Sequence, residues 1–237
     1  MISGIKLHVW GAFACFTRPE LKAERFSYEV MTPSAAIGVL SAIYWKPEIR
    51  WVIDRIHVLK PIRFFQVRRN EVDGKFPKPK KEWMQGGSGN AGMFIEERRQ
   101  QRASTILRDV EYLIEAHIEV LKADENPAIA SEVKHLEMFK RRASKGQCFH
   151  QPYFGTREFP VDFELWEEES APPSELPERA RNRNLGLMLH EIDYIPDQKG
   201  KIVRSNDGVR VTAQPRFFMA SLEDGIMSVP PLSETMN

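Results

Sequence analysis

The stretch RQQRASTILRDVEYLIEAHIEVL, residues 99–121, decides the fold. Val110, Tyr112, Ile114, Ala116, Ile118 and Val120 alternate strictly, as in a half-buried strand. Val110, Leu113, Ile114, Ile118 and Leu121 also fit one face of a helix. The β-branched content favours the strand. Working outward, GIKLHVW (4–10) reads as a first strand. In TPSAAIGVLSAIYWKP (32–47), Thr32 can cap a helix and Pro33 suits its first position. Ala36, Ile37, Leu40, Ile43 and Tyr44 then share one face, and Pro47 ends the element. IRWVIDRIHVLKPIRFFQVRRNEV (49–72) reads as strand interrupted at Pro61. KFPKPKKEWMQGGSGNAG (75–92) reads as a loop, and its KFPKPKK as a basic arm.

A helix opened by Asn126-Pro127 follows, then KGQCFHQPYFGTREF (145–159), turn-rich and ending in a strand. Residues 1–160 therefore read β-α-β-β-α-β, an α+β, ferredoxin-like (RRM-like) arrangement. Residues 161–237 read as a small antiparallel β-sheet domain, from the strand-like runs LGLMLHEIDYI and RFFMASLEDGIMSV.

The chain of 237 residues is long enough for a sizeable core, and 28% charged residues suit a globular protein. No apolar run has membrane-spanning length, and MISGIKLHVWG lacks a signal-peptide pattern. Two distant cysteines, Cys15 and Cys148, suit a reducing cytoplasm. The formal charge of +1 hides an asymmetry. Residues 1–160 hold 26 Lys/Arg against 19 Asp/Glu, whereas residues 161–237 hold 8 against 14. A polyanion partner for the basic part, or chance asymmetry in a two-part chain, both fit.

SEVKHLEMFKRR (131–142) carries the candidate chemistry. At about 100° per residue, Ile129, Val133, Leu136, Phe139 and Ala143 form an apolar stripe. Lys134 points away from it, beside Met138 and Arg141, and His135 lies at its edge with Arg142. The expected exposed face offers one titratable imidazole among fixed cations. That equipment suits metal-free RNA cleavage. A histidine can exchange protons with the 2′-hydroxyl or the leaving oxygen, and a lysine can stabilise charge developing at phosphorus. The plainer reading is a solvated helix face. His8, His57, His117, His150 and His190 show no HExxH or HxxxH spacing and no neighbouring acidic cluster, so neither a metal nor a cofactor is expected. His150 is a minor alternative acid.

Long strings now converge. VWGAFACFTRPELKAERFSYEVMTPSAAIGVLSAIYWKPEIRW, PIRFFQVRRNEV, RQQRASTILRDVEYLIEAH, KHLEMFKRRASKGQCFHQPYFGTREF and FFMASLEDGIMSVP closely resemble the fifth Cas protein of type I-C (Dvulg subtype) CRISPR systems, in the RAMP superfamily. The resemblance implies a metal-independent endoribonuclease that cuts the repeat hairpin of precursor CRISPR RNA. It implies retention on the 5′ handle of the mature guide, beside the backbone and large subunits of an effector complex. Double-stranded DNA is a further candidate partner. The non-catalytic alternative is a guide-RNA-binding scaffold subunit. The resemblance also implies a catalytic set of Tyr44, in IYWKP, with the adjacent Lys134 and His135. Relatives often carry glycine where this chain has Val133. Read without the resemblance, Tyr44 is a core aromatic. With it, Tyr44 orients the attacking hydroxyl, because a phenol of pKa about 10 is a poor base. Cations interleaved with aromatics are the candidate RNA contacts: Arg18, Lys22 and Arg25; Arg68 and Arg69; Arg99 and Arg102; Arg141 and Arg142; and Arg157.

Overall fold

The computed structural model describes residues 4–21, 23–74, 81, 85–86, 94–121, 132–196, 203–204 and 210–236. The Asn126-Pro127 helix start, Ile129, Lys22 and all of KFPKPKK except Lys81 lie outside the described residues.

Residues 99–121 do form a strand. β4 spans Arg99–Val120, and the alternation predicted above buries Val110, Tyr112, Ile114, Ala116 and Ile118. β1 (Ile5–Ala14) and β2 (Ile49–Val58) flank the second half of β4, both antiparallel to it. β3 (Phe64–Val72) pairs antiparallel with its first half. Pro61 falls in the break between β2 and β3, as a residue without a backbone donor should. Asp109, at φ 52°, lies close to where β4 passes from β3 to the main sheet. The positive φ is one that aspartate tolerates better than most residues.

The last strand of this sheet is not at 145–159. β5 is Asp162–Leu165, antiparallel to β1, and Tyr153 makes only an isolated bridge to Pro160. Backbone bonds from Phe154 to Phe159 and from Val161 to Pro152 fold the earlier segment on itself. The aromatic richness of that segment therefore serves a packed turn.

Two helices cover one face of the sheet. α1 is Pro33–Ile43; the Ala35 N–H donates to Thr32 Oγ1 at 3.2 Å, the cap read from the sequence. α2 is Glu132–Ala143. Leu7, Val9, Ile56 and Ile114 from the strands meet Leu40, Ile43 and Phe139 from the helices in one core. The Phe139 ring packs edge-on against Trp51 at 4.8 Å. At about 25 cal/mol per Å² of apolar surface, side chains of this size each contribute about 2–3 kcal/mol.

The C-terminal part holds a second antiparallel sheet of β6 (Arg183–Pro196), β7 (Val203–Arg204) and β8 (Arg210–Leu222), in the order β6-β8-β7. The run read as RFFMASLEDGIMSV splits between the sheets. Its end, β9 (Ile226–Ser228), pairs with β2 in the first sheet. The fold is thus mixed α/β with antiparallel sheets. No helix among the described residues is long and apolar enough to cross a membrane.

Candidate active site

α1 ends where IYWKP begins to matter. Tyr44 leaves the helix at φ −150°, ψ 121°, while its N–H still donates to Leu40 O at 2.9 Å. This extended step buries the Tyr44 ring and leaves Trp45 and Lys46 exposed. Trp51 donates from Nε1 to Tyr44 O at 2.9 Å, so β2 holds the helix end in place.

The face that α2 buries differs from the stripe predicted for it. Leu136, Phe139 and Ala143 are buried as expected, but Val133 is 63% exposed and His135 only 3%. On a helical wheel, residues 136, 139 and 143 centre the face nearer to 135 than to 133. Val133 joined the predicted stripe only with Ile129, which is not among the described residues. The imidazole expected on the wet face is therefore inside, and Lys134 alone of the pair faces solvent.

The two buried groups meet. Tyr44 Oη and His135 Nδ1 share a hydrogen bond of 2.8 Å between α1 and α2. Burial pushes the Tyr44 phenol above its usual value, Glu48 adds to the rise, and Arg142 opposes it. Burial likewise lowers the His135 pKa; the charges of Lys134 and Lys46 lower it further, against Glu48. Both partners are neutral at neutral pH. His135 Nε2 is buried with no hydrogen-bond partner among the described residues. Such an atom costs free energy unless something else uses it. Arg142 lies over the Tyr44 ring at 5.2 Å, and its Nη1 donates to Ile43 O at 3.0 Å. Glu48, two residues beyond Lys46 in the quoted motif, was not singled out from sequence; its charge on both buried groups needed the fold to be seen.

The candidate cations fall into two kinds. Arg25, Arg69 and Arg102 gather around two carboxylates. Arg25 lies 3.7 Å from both Glu71 and Glu158, Arg102 lies 3.5 Å from Glu71, and Arg69 pairs with Glu158. Arg18 sits over the Tyr28 ring at 4.6 Å and 3.8 Å from Glu20. Arg68, Arg99, Arg141 and Arg157 are exposed, with no ion pair among the described residues. Arg98, next to these candidates in sequence, is engaged as well, 3.5 Å from Asp73.

Three histidines pair with individual carboxylates that sequence spacing does not show. His8 reaches Glu111 and Glu164, His57 reaches Glu115, and His117 reaches Asp54, all at 2.8–3.0 Å. Strand pairing brings together residues far apart in sequence. Among the described residues, no group of three or more His, Cys, Asp or Glu could hold a metal ion.

The family model of Cas5d, described as "CRISPR-associated protein (Cas_Cas5)", matches residues 4–230. The chain belongs to the Cas5d family. The resemblance seen in the sequence is thereby established. The Cas5d-family chain is 51% identical to "CRISPR pre-crRNA endoribonuclease Cas5d" of Mannheimia succiniciproducens, over 98% of this chain and 96% of that one. It is 41% identical to the Thermus thermophilus protein of the same name, over 95% and 91%. Among solved structures, a functionally uncharacterized protein, SMU1763c of Streptococcus mutans, superposes with a TM-score of 0.66 at 21% identity, covering 100% of this chain and 96% of that one. A structure named as a CRISPR-associated protein matches equally well, with the same TM-score of 0.66. At this identity the structural matches speak for the fold alone.

Proposed function

We propose that this Cas5d-family chain is an endoribonuclease that cleaves precursor CRISPR RNA in its repeat hairpin by 2′-hydroxyl attack, with no metal. The names of the two curated relatives support the substrate and the reaction. The hydrogen bond between Tyr44 and His135, beside the Lys134 cation, carries the mechanistic reading.

With both groups neutral, His135 Nδ1–H can donate to Tyr44 Oη. Nε2 then keeps a lone pair to accept the 2′-hydroxyl proton. As the 2′-oxygen bonds to phosphorus, negative charge gathers on the phosphoryl oxygens and Lys134 stabilises it. The P–O5′ bond breaks and the leaving 5′-oxygen takes the proton held on His135 Nε2, giving a 2′,3′-cyclic phosphate, a 5′-hydroxyl and a neutral imidazole again. Tyr44 orients the imidazole and does not act as base, because its pKa is raised. Nε2 is closed off in the free protein, so RNA binding has to open its cover. Proton transfer of this kind is worth about 10²–10⁴-fold.

The sheet order β5-β1-β4-β2 and the helices after β1 and β4 support a ferredoxin-like arrangement. The two-unit division, 1–160 and 161–237, belongs to the same proposal, with β5 and β9 lent to the first sheet. After cleavage the protein stays bound to the 5′ handle of the guide RNA in a type I-C effector complex in the cytoplasm, with backbone and large subunits and double-stranded DNA as partners. Arg18, Lys22, Arg25, Arg68, Arg69, Arg99, Arg102, Arg141, Arg142 and Arg157 are proposed to contact RNA, with Arg25, Arg69 and Arg102 first released from Glu71 and Glu158.

A scaffold subunit is the second reading. The buried, hydrogen-bonded His135 favours it, since such a residue can simply tie α2 to α1. The test uses purified protein with labelled repeat hairpin RNA in excess EDTA, and a matched RNA with a 2′-deoxy substitution 5′ of the cut. One cut in the first and none in the second is expected. Lys134→Ala and His135→Ala should abolish the cut and leave binding largely intact. Tight binding without cleavage would replace the enzyme by the scaffold.

A further inference from the structure

A cleft of about 800 Å³ opens beside Tyr44, lined by Ser41, Trp45, Lys46, Pro47, Arg142, Phe149 and His150. Two features set it apart. Trp45 is 54% exposed and Phe149 86%, although both are large apolar rings. Among the described residues, the charged groups that line it are the cations Lys46 and Arg142, with no carboxylate. Large rings left exposed together beside one cleft mark a surface for flat apolar partners, and a cationic wall selects an anionic one. Bases on a phosphate backbone meet both conditions.

The rings continue in a line. Phe149 and His150 lie 6.0 Å apart, and His150 stacks on Tyr153 at 6.4 Å with 29° between planes. His150 and Tyr153 also line an adjoining cavity of about 250 Å³ with Gln151 and Arg157. The line rests on rigid supports. The Phe149 N–H donates to Ala42 O at the end of α1 at 2.8 Å, and Cys15 N–H donates to Phe154 O at 3.1 Å. Gly155 takes φ +79°, and a Cβ there would stand 2.0 Å from Cys15 O, so only glycine lets this loop lie against β1.

We infer that this line is a track for single-stranded RNA, in which Trp45 and Phe149 stack the unpaired bases next to the cut and Tyr153 with Arg157 carries the strand onward. The inference rests on the endoribonuclease reading, because Trp45 follows Tyr44 directly and Arg142 touches both the cleft and the Tyr44 ring. Trp45 and Phe149 then set which nucleotide reaches His135. An apolar protein partner is disfavoured by the cations.

The experiment measures binding of a repeat RNA made uncleavable by 2′-deoxy substitution at the cut, together with RNAs carrying one abasic nucleotide on either side. Base stacking is sequence-tolerant and worth a factor of about 5–150 per base by alanine substitution. Trp45→Ala and Phe149→Ala should each weaken binding by that factor, and Trp45→Phe should retain most of the affinity. An abasic site should weaken the unaltered protein equally and add nothing in the matching variant. Unchanged binding in both alanine variants overturns the track. So does a loss that adds in full to the abasic loss, since the ring then acts without a base. Binding with stacking but no cleavage of the natural RNA would leave the track standing and remove the nuclease reading. No binding by the unaltered protein would remove both.

Discussion

At the residue scale, the buried bond between Tyr44 and His135 makes the imidazole's charge state a measurable signature. The ordinary histidine value is 6.5, and His135 lies below it because burial and two lysines disfavour the cation. In the free protein, an NMR titration of the His135 imidazole should therefore have its midpoint below 6.5. Lys134→Ala should move that midpoint up, since a like charge is removed. A midpoint at or above 6.5 would mean an open, solvated imidazole. Because its pKa is depressed on folding, His135 contributes stability that is complete above 6.5 and is lost as pH falls towards the folded value. The residue types of this site were legible as a motif. Their burial was not, because whether 133 or 135 faces inward depends on where α2 meets the sheet.

At the element scale, α2 is held by few side chains. Phe139 is fully buried against Trp51, one turn from His135 on the same face. Phe139→Ala should cost about 3–5 kcal/mol, the usual range for a large aromatic removed from a core. Val133→Ser should stay within about 0.5 kcal/mol, as an exposed site does. Urea unfolding of the two variants distinguishes the observed face from the one predicted with Val133 inside. A larger loss from Val133→Ser would restore the predicted stripe. Most elements were readable where period and punctuation agreed: Thr32-Pro33 opens α1, Pro61 parts β2 from β3, and alternation marks β4. The element after α2 was misread because aromatic residues at 149–159 mimic strand composition. Their backbone bonds instead close a local turn against β1.

At the scale of the whole molecule, the last strand in the chain is an edge of the first sheet. Such a closure is invisible to period and composition, which report what a segment is and not what it pairs with. β9 covers the β2 edge from Arg55 to His57 and buries Met227 completely. Val58 N–H donates to Gly225 O at 2.9 Å and Val229 N–H to Asp54 O at 3.0 Å, so both ends of β9 are tied to β2. Farther on, Met236 and Phe217 exchange backbone bonds in the second sheet. The charge asymmetry that divides the sequence therefore does not divide the hydrogen bonding. A chain ending after Leu222 would lose β9 and expose an unpaired strand edge, which invites association. It would also lose the Met227 side chain, worth about 2–5 kcal/mol. A chain ending after Pro231 would keep β9 and lose only the final turn and the Met236 pairing. We expect the shorter chain to melt well below the full-length protein and to associate in light scattering, and the longer one to stay close to full-length behaviour. Equal melting of the two truncated chains would show that β9 decorates the β2 edge without holding it.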